Sequence, residues 1–177
     1  MKTTPSIQIL SLAFVLSMTA ACGQKKSITI TETVYVAENQ AQVFDLLRSF
    51  EKFPEWSPFL VTDPQQKNHV TGTDGQIGSA FHWEGVAEKS KGQQILTTAE
   101  ENTFLEMACE MMEPYEVSAS FTYHLEAKEQ GTVVTQVFEV PCSGFEKFMM
   151  SLFGVKKEMT ETNQLGLQRL KAFAENN

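Results

Sequence analysis

The sequence predicts an α+β fold in which a curved antiparallel sheet wraps around one long C-terminal helix. Three observations carry this expectation. Apolar residues alternate with polar ones over most of residues 79–141. The links between successive strands there are only two to four residues long. Apolar residues then recur at helical spacing from Gly144 to Phe173. Alternation marks half-buried strands, short links force antiparallel hairpins, and the 3.6-residue period marks an amphipathic helix. A chain of 177 residues with 42% hydrophobic content suits one domain with a sizeable core, and no repeat, low-complexity tract or second-domain linker interrupts it.

Residues 1–21 stand apart from that domain. Lys2 precedes an apolar run, Ile7–Val15, too short to span a bilayer as a mature helix, which is the pattern of a signal peptide. Met18-Thr19-Ala20-Ala21-Cys22-Gly23 resembles the lipobox of bacterial lipoproteins, although Thr19 stands where that motif usually has leucine. The resemblance implies lipidation at Cys22, residues 22–26 as a lipidated tether, and anchorage in a membrane. Gly23 after the cysteine resembles the outer-membrane-sorted class, which implies a periplasm-facing domain where the organism has two membranes. Plain secretory cleavage after Ala20 or Ala21 uses the same small residues.

The domain itself, residues 27–175, opens with a strand over Ser27–Val36, where Ile28, Ile30, Val34 and Val36 alternate with Thr29, Thr31, Thr33 and Tyr35. Asn39–Phe50 changes to helical period through Ala41, Val43, Phe44 and Leu47. Pro54 and Pro58 confine the next element to a short helix or turn ending near Trp56. Asp63–Gly78 reads as a loop rich in turn formers. Five strands are expected after it, over Ser79–Glu88, Gln93–Glu100, Thr103–Met112, Glu116–Ala127 and Thr132–Pro141, before the helix Gly144–Phe173.

Strand phase then assigns an inner face. Leu105, Met107, Cys109 and Met111 share one side of their strand, and Val117, Ala119, Phe121, Tyr123 and Leu125 share one side of the next. Carrying that face across the hairpins in register adds Gln136, Phe138, Val140 and Cys142 on one flank and Leu96, Thr98, Trp83 and Phe81 on the other. This wall is either a filled core or the lining of a pocket, since ligand cavities are mostly apolar with a few orienting polar groups. In the pocket reading it is lined by Phe81, Trp83, Leu96 and Thr98, by Leu105, Met107 and Met111, and by Phe121, Tyr123, Gln136 and Phe138. Trp56 and Phe59 would close one end, with Met149, Leu152 and Phe153 of the terminal helix as the opposite wall. Cys109 and Cys142 lie on that face two strands apart, either as buried thiols or, if exported and close enough, as a disulfide; a bridge needs Cα atoms within about 7 Å.

Chemistry is sparse. A net charge of -8 and a pI of about 4.9 supply no basic stripe for a phosphate backbone, so no nucleic-acid partner is expected. His69 falls in the polar loop, His82 and His124 take the outward phase, and no metal-ligand spacing appears. Gly72-Thr73-Asp74-Gly75 reads as a turn rather than a phosphate loop, and no cofactor is expected. Two residues are weak candidates for catalysis. Glu32 shares the inward phase of the first strand, although an outward position at a sheet bend is the favoured reading, because unpaired buried carboxylates are rarely tolerated. Tyr123 either donates a hydrogen bond to a ligand carbonyl or fills the core with its hydroxyl tied to a neighbour.

Several stretches in order carry a family resemblance. These are Val43-Phe44-Asp45-Leu46-Leu47, Phe53-Pro54-Glu55-Trp56-Ser57-Pro58-Phe59, Ile77-Gly78-Ser79-Ala80-Phe81-His82-Trp83-Glu84-Gly85, Gly131-Thr132-Val133-Val134-Thr135 and Gly166-Leu167-Gln168-Arg169-Leu170-Lys171. Together they resemble the START-like, helix-grip superfamily, in its bacterial SRPBCC or polyketide cyclase/dehydrase branch, over nearly the whole domain. The resemblance implies about seven strands, two short helices after the first strand, and a hydrophobic cavity between sheet and terminal helix. The function expected is the binding of an apolar small molecule or lipid by a membrane-tethered domain. A cyclase- or hydrolase-like enzyme using the same cavity, and a filled-core interaction module without a ligand, are the alternatives. The oligomeric state is left open.

Overall fold

The structure is a computed structural model describing residues 27–87, 89–142 and 154–177. The signal segment, Cys22, the tether and Met149, Leu152 and Phe153 lie outside the described residues. In chain order the elements are β1 (Ser27–Val36), α1 (Gln40–Arg48), α2 (Phe53–Trp56), α3 (Phe59–Thr62), β2 (Lys67–Thr71), β3 (Ala80–Glu84), β4 (Lys91–Glu100), β5 (Phe104–Glu113), β6 (Val117–Lys128), β7 (Gly131–Pro141) and α4 (Val155–Ala174). The strands form one seven-stranded sheet in the order β1-β7-β6-β5-β4-β3-β2, every neighbouring pair antiparallel.

Local chemistry fixes the ends of the early elements. Asn39 caps α1 by accepting a hydrogen bond from the Gln42 backbone N–H at 2.9 Å, satisfying one of the helix's orphan donors. Val43, Phe44, Leu46 and Leu47 bury one face of α1. Beyond it, Asp74 in the expected turn accepts from Ser49 Oγ at 2.6 Å and from the Phe50 N–H at 2.7 Å, tying the two loops together. Pro54 sits in the first turn of α2, where a missing N–H costs nothing. Arg169 of α4 donates from Nε to the Trp56 carbonyl and from Nη2 to the Glu55 carbonyl, at 3.2 and 3.0 Å. The FPEWSPF corner is thereby tied to the terminal helix.

Four differences from the sequence reading have physical causes. Lys67–Thr71, expected as loop, forms the edge strand β2; with Val70 its one apolar residue, and exposed over most of its length, it offers no alternation to read. His69 therefore sits on a strand and stacks on His82 at 4.6 Å between ring centroids. The strand expected to reach Glu88 ends at Glu84. The terminal helix does not run unbroken through residue 154: Gly154 has φ +69°, outside the right-handed helical region, and α4 starts at Val155.

The fourth difference is a β-bulge in β4. Leu96 pairs with Met107 and Thr98 with Glu106, leaving Thr97 as an extra residue. The inward phase therefore passes from Leu96 to Ala99, which pairs with Leu105, and not to Thr98. Thr98 points away from the expected wall and donates to Glu106 Oε2 at 3.0 Å.

Inward side chains form rows across the strands. Ala99, Leu105, Tyr123, Gln136 and Glu32 are successive cross-strand partners, as are Leu96, Met107, Phe121, Phe138 and Ile30. These two rows, Glu32 aside, belong with α1 and with Leu167 and Leu170 of α4 to the main core. The next rows are built from smaller groups: Gln94, Cys109 and Ala119 in one, Gly92, Met111 and Val117 in the other. Gly92 has no alternative there, because a Cβ would lie 2.4 Å from the Trp83 ring and 2.3 Å from the Glu110 carbonyl oxygen.

Candidate functional site

Over those smaller rows the helix and the sheet do not meet, and a cavity of about 380 Å³ opens between them. This is within the roughly 300–1,000 Å³ typical of small-molecule sites. Its floor is Cys109, Met111, Val117 and Ala119 of β5 and β6, with Phe121 and Phe138 where it meets the filled core. Phe53, Phe81 and Trp83 form one side wall, and Val155, Met159, Thr162 and Asn163 of α4 form the roof. Phe53 stacks edge-on against both Trp56 and Phe81, at 4.8 and 5.0 Å, so that wall is held by interlocked aromatic rings. Phe59 also lines the cavity yet is 45% exposed, which places it at the mouth.

Polar groups gather at particular points of this lining. Asp63 is buried, and its Oδ2 accepts from the Val86 and Ala87 N–H groups at 2.6 and 3.0 Å, pinning the β3–β4 loop beside the cavity. Thr62, Gln66, Ser90, Glu158 and Thr162 add further polar groups. Gln94 enters from the sheet and Asn163 from the helix, both buried. Cys109 is a protonated, apolar element of the floor at neutral pH: burial, with the neighbouring Glu110 carboxylate, pushes its thiol up to about 12. It carries no disulfide, and neither does Cys142. Among the described residues no cluster of three or more His, Cys, Asp or Glu side chains could hold a metal ion, and no helix is long and apolar enough to cross a membrane.

Residues 27–175 match the family described as polyketide cyclase/dehydrase and lipid transport. The chain belongs to that family. Solved structures with the same helix-grip fold resemble this polyketide cyclase/dehydrase-type chain over most of its length. One is an uncharacterised protein from Rhizobium leguminosarum, with TM-score 0.65 and 15% identity, covering 86% of this chain and 97% of its own. Ara h 8.0201 superposes with TM-score 0.62 at 15% identity, over 86% of this chain and 100% of its own. A Chromobacterium violaceum protein gives TM-score 0.61 at 12% identity, over 83% and 97%. At these identities the likeness speaks for the fold alone. No curated protein matches the chain in sequence.

Within this family member the expected wall divides in two. Phe59, Phe81, Trp83, Met111, Phe121 and Phe138 line the cavity. Leu96, Leu105, Met107, Tyr123 and Gln136 do not; they are packed into the filled core beside it. Trp56 is likewise buried outside the lining, while Phe59, three residues later, stands at the mouth. Thr98 is turned away by the bulge.

The two catalytic candidates lie outside the cavity as well. Tyr123 is 2% exposed, accepts a hydrogen bond from Gln136 Nε2 at 2.9 Å, and is held strongly toward its protonated form, chiefly by burial. Glu32 is not turned outward at a bend: it keeps the inward phase at the sheet edge, half-buried, and accepts from Gln164 of α4 at 3.1 Å. The residues missed by strand phase are Phe53, Thr62, Asp63, Gln66 and Ser90 of the short helices and loops and the roof residues Val155, Glu158, Met159, Thr162 and Asn163. For the floor a signal existed: Cys109 and Ala119, small residues facing each other across β5 and β6, leave volume that their larger neighbours fill.

Proposed function

We propose that the protein binds an apolar small molecule or lipid between its sheet and α4. The observation that carries this reading is the cavity of about 380 Å³ walled by Phe53, Phe81, Trp83, Phe121 and Phe138, with Phe59 at its mouth. Burying a ligand's apolar surface against such a wall is favourable by about 25 cal/mol for each Å² removed from water. Membership of a family described by polyketide cyclisation and lipid transport supports the same ligand class. The lipobox-like Met18-Thr19-Ala20-Ala21-Cys22-Gly23 supports a second element: a lipid on Cys22 tethers the domain, through residues 22–26, to an envelope membrane. In an organism with two membranes the domain then faces the periplasm from the outer membrane.

Native mass spectrometry of protein extracted from its own host tests the binding reading, with a co-purifying apolar molecule as the expected result. Protein that is empty and also excludes neutral apolar dyes would overturn it. For the tether, metabolic labelling with a palmitate analogue is expected to mark the wild-type chain and to disappear in Cys22→Ala. Label persisting in that variant rejects the site.

A further inference from the structure

We propose that the ligand is a neutral amphiphile, an apolar body bearing a carbonyl or hydroxyl oxygen, and that Asn163 with Gln94 recognises that oxygen. This assignment rests on the cavity being a site for apolar molecules and adds the ligand's polar group. Asn163 stands in the roof at 7% exposure, and among the described residues its Nδ2 has no hydrogen-bond partner. A buried amide donor without an acceptor is costly, and native structures rarely leave one so. The terminal torsion of asparagine is broad, so the amide can turn toward an incoming oxygen without leaving its rotamer.

Gln94 repeats the situation from the sheet side. It is also 7% exposed, and its Nε2 donates to Met107 Sδ at 3.1 Å, a thioether that is only a weak acceptor. Two amide donors from opposite walls therefore border one apolar space with less acceptor than they need. A pure hydrocarbon would leave both in that condition. An oxygen acceptor on the ligand would satisfy them.

Charge narrows the class further. The ionisable acids in the described lining are Asp63 and Glu158, and no described lining residue is Lys, Arg or His. A ligand carboxylate or phosphate would bring a like charge toward them in a poorly hydrated space. An ammonium group offers the amide donors no acceptor. A neutral oxygen meets neither objection.

The test uses the full-length protein at neutral pH and displacement of N-phenyl-1-naphthylamine, a neutral dye without an oxygen acceptor, by decanol, decanoate and decylammonium. Decanol is expected to bind about tenfold more tightly than decanoate, and to lose about that factor in Asn163→Leu while the dye's own affinity stays within about twofold. Asn163→Ala, which removes the donor and brings in no ionisable group, should give the same selective loss. Decanoate or decylammonium binding as tightly as decanol overturns the proposal. So does an unchanged decanol affinity in both variants, or an equal loss of dye and decanol in both, which would make Asn163 part of the wall only. A wild-type protein that takes up no dye fails earlier, at the reading of the cavity itself.

Discussion

The same three strands, β4 to β6, carry two unlike regions. At one end Leu96, Leu105, Met107 and Tyr123 are buried in one cluster with the inner face of α1 and with Leu167 and Leu170 of α4. At the other end Gly92, Cys109, Val117 and Ala119 leave the first turns of α4 standing off the sheet. Strand phase, sheet curvature and covering helix are common to both. Side-chain volume differs, and interiors are packed closely enough that the loss of a few methylenes per residue becomes an opening. The filled end is close-packed, and the open end leaves the cavity between sheet and helix.

That division can be broken by mutation, and the largest expected effect lies in the filled end. Leu105→Ala should cost about 2–5 kcal/mol in urea unfolding, because Leu105 is fully buried and its neighbours cannot collapse fully. Tyr123→Phe should cost about 1–3 kcal/mol by leaving the Gln136 amide unpartnered, and should leave dye affinity unchanged because Tyr123 is outside the cavity. A loss of dye binding with no loss of stability would reverse that placement. Ala119→Leu sharpens the contrast from the other side. It should leave stability within about 1 kcal/mol of the wild type or above it, and weaken dye uptake by about tenfold or more. Destabilisation by several kcal/mol would mean that the floor is already full.

The smallest effect falls on the outer face, away from both regions. Burial, together with the stacked His69, lowers the pKa of His82 below its ordinary 6.5. The folded state thus resists a proton that the unfolded chain accepts. The associated stability is present above about pH 6.5 and is lost as the pH falls through the folded value. The urea midpoint should therefore fall slightly between pH 7.5 and 5, and less so in His82→Gln; an equal fall in both would assign the effect elsewhere. Added salt should shrink the His69 contribution, since the pair is largely exposed.

How far the sequence reveals this molecule depends on the strength of its local patterns. Alternation through Leu105, Met107, Cys109 and Met111 and through Val117 to Leu125 defines the central strands within one or two residues, and helical spacing locates the terminal helix. β2 escapes because an edge strand with one apolar residue has no face to display. The extra residue at Thr97 escapes because nothing in Leu96-Thr97-Thr98-Ala99 marks which threonine leaves the ladder. Six of the expected lining residues do surround the cavity, yet phase alone could not separate them from Leu96, Leu105 or Tyr123. Inward direction is a property of one strand, whereas free volume depends on all the groups that meet there. Asp63, Ser90 and Asn163 escape for a related reason: only the folded chain brings two loops and a helix to one opening.

The bulge at Thr97 bears on how this fold could diversify. On its N-terminal side β4 shows Gln94 to the cavity and Gln93 to the outside, where Gln93 donates to Glu110 at 2.7 Å; on its C-terminal side Ala99 faces the core. Removing Thr97 leaves Leu96, Thr98 and Ala99 facing Met107, Glu106 and Leu105 in unbroken register, so both segments keep their faces. Removing Ile95 instead, within the regular ladder, turns Gln94 outward and brings Gln93 to the inner face. The bulge is thus the one place in β4 where the chain can lose a residue and keep the polar lining of the pocket, whereas the same loss two residues earlier rewrites it.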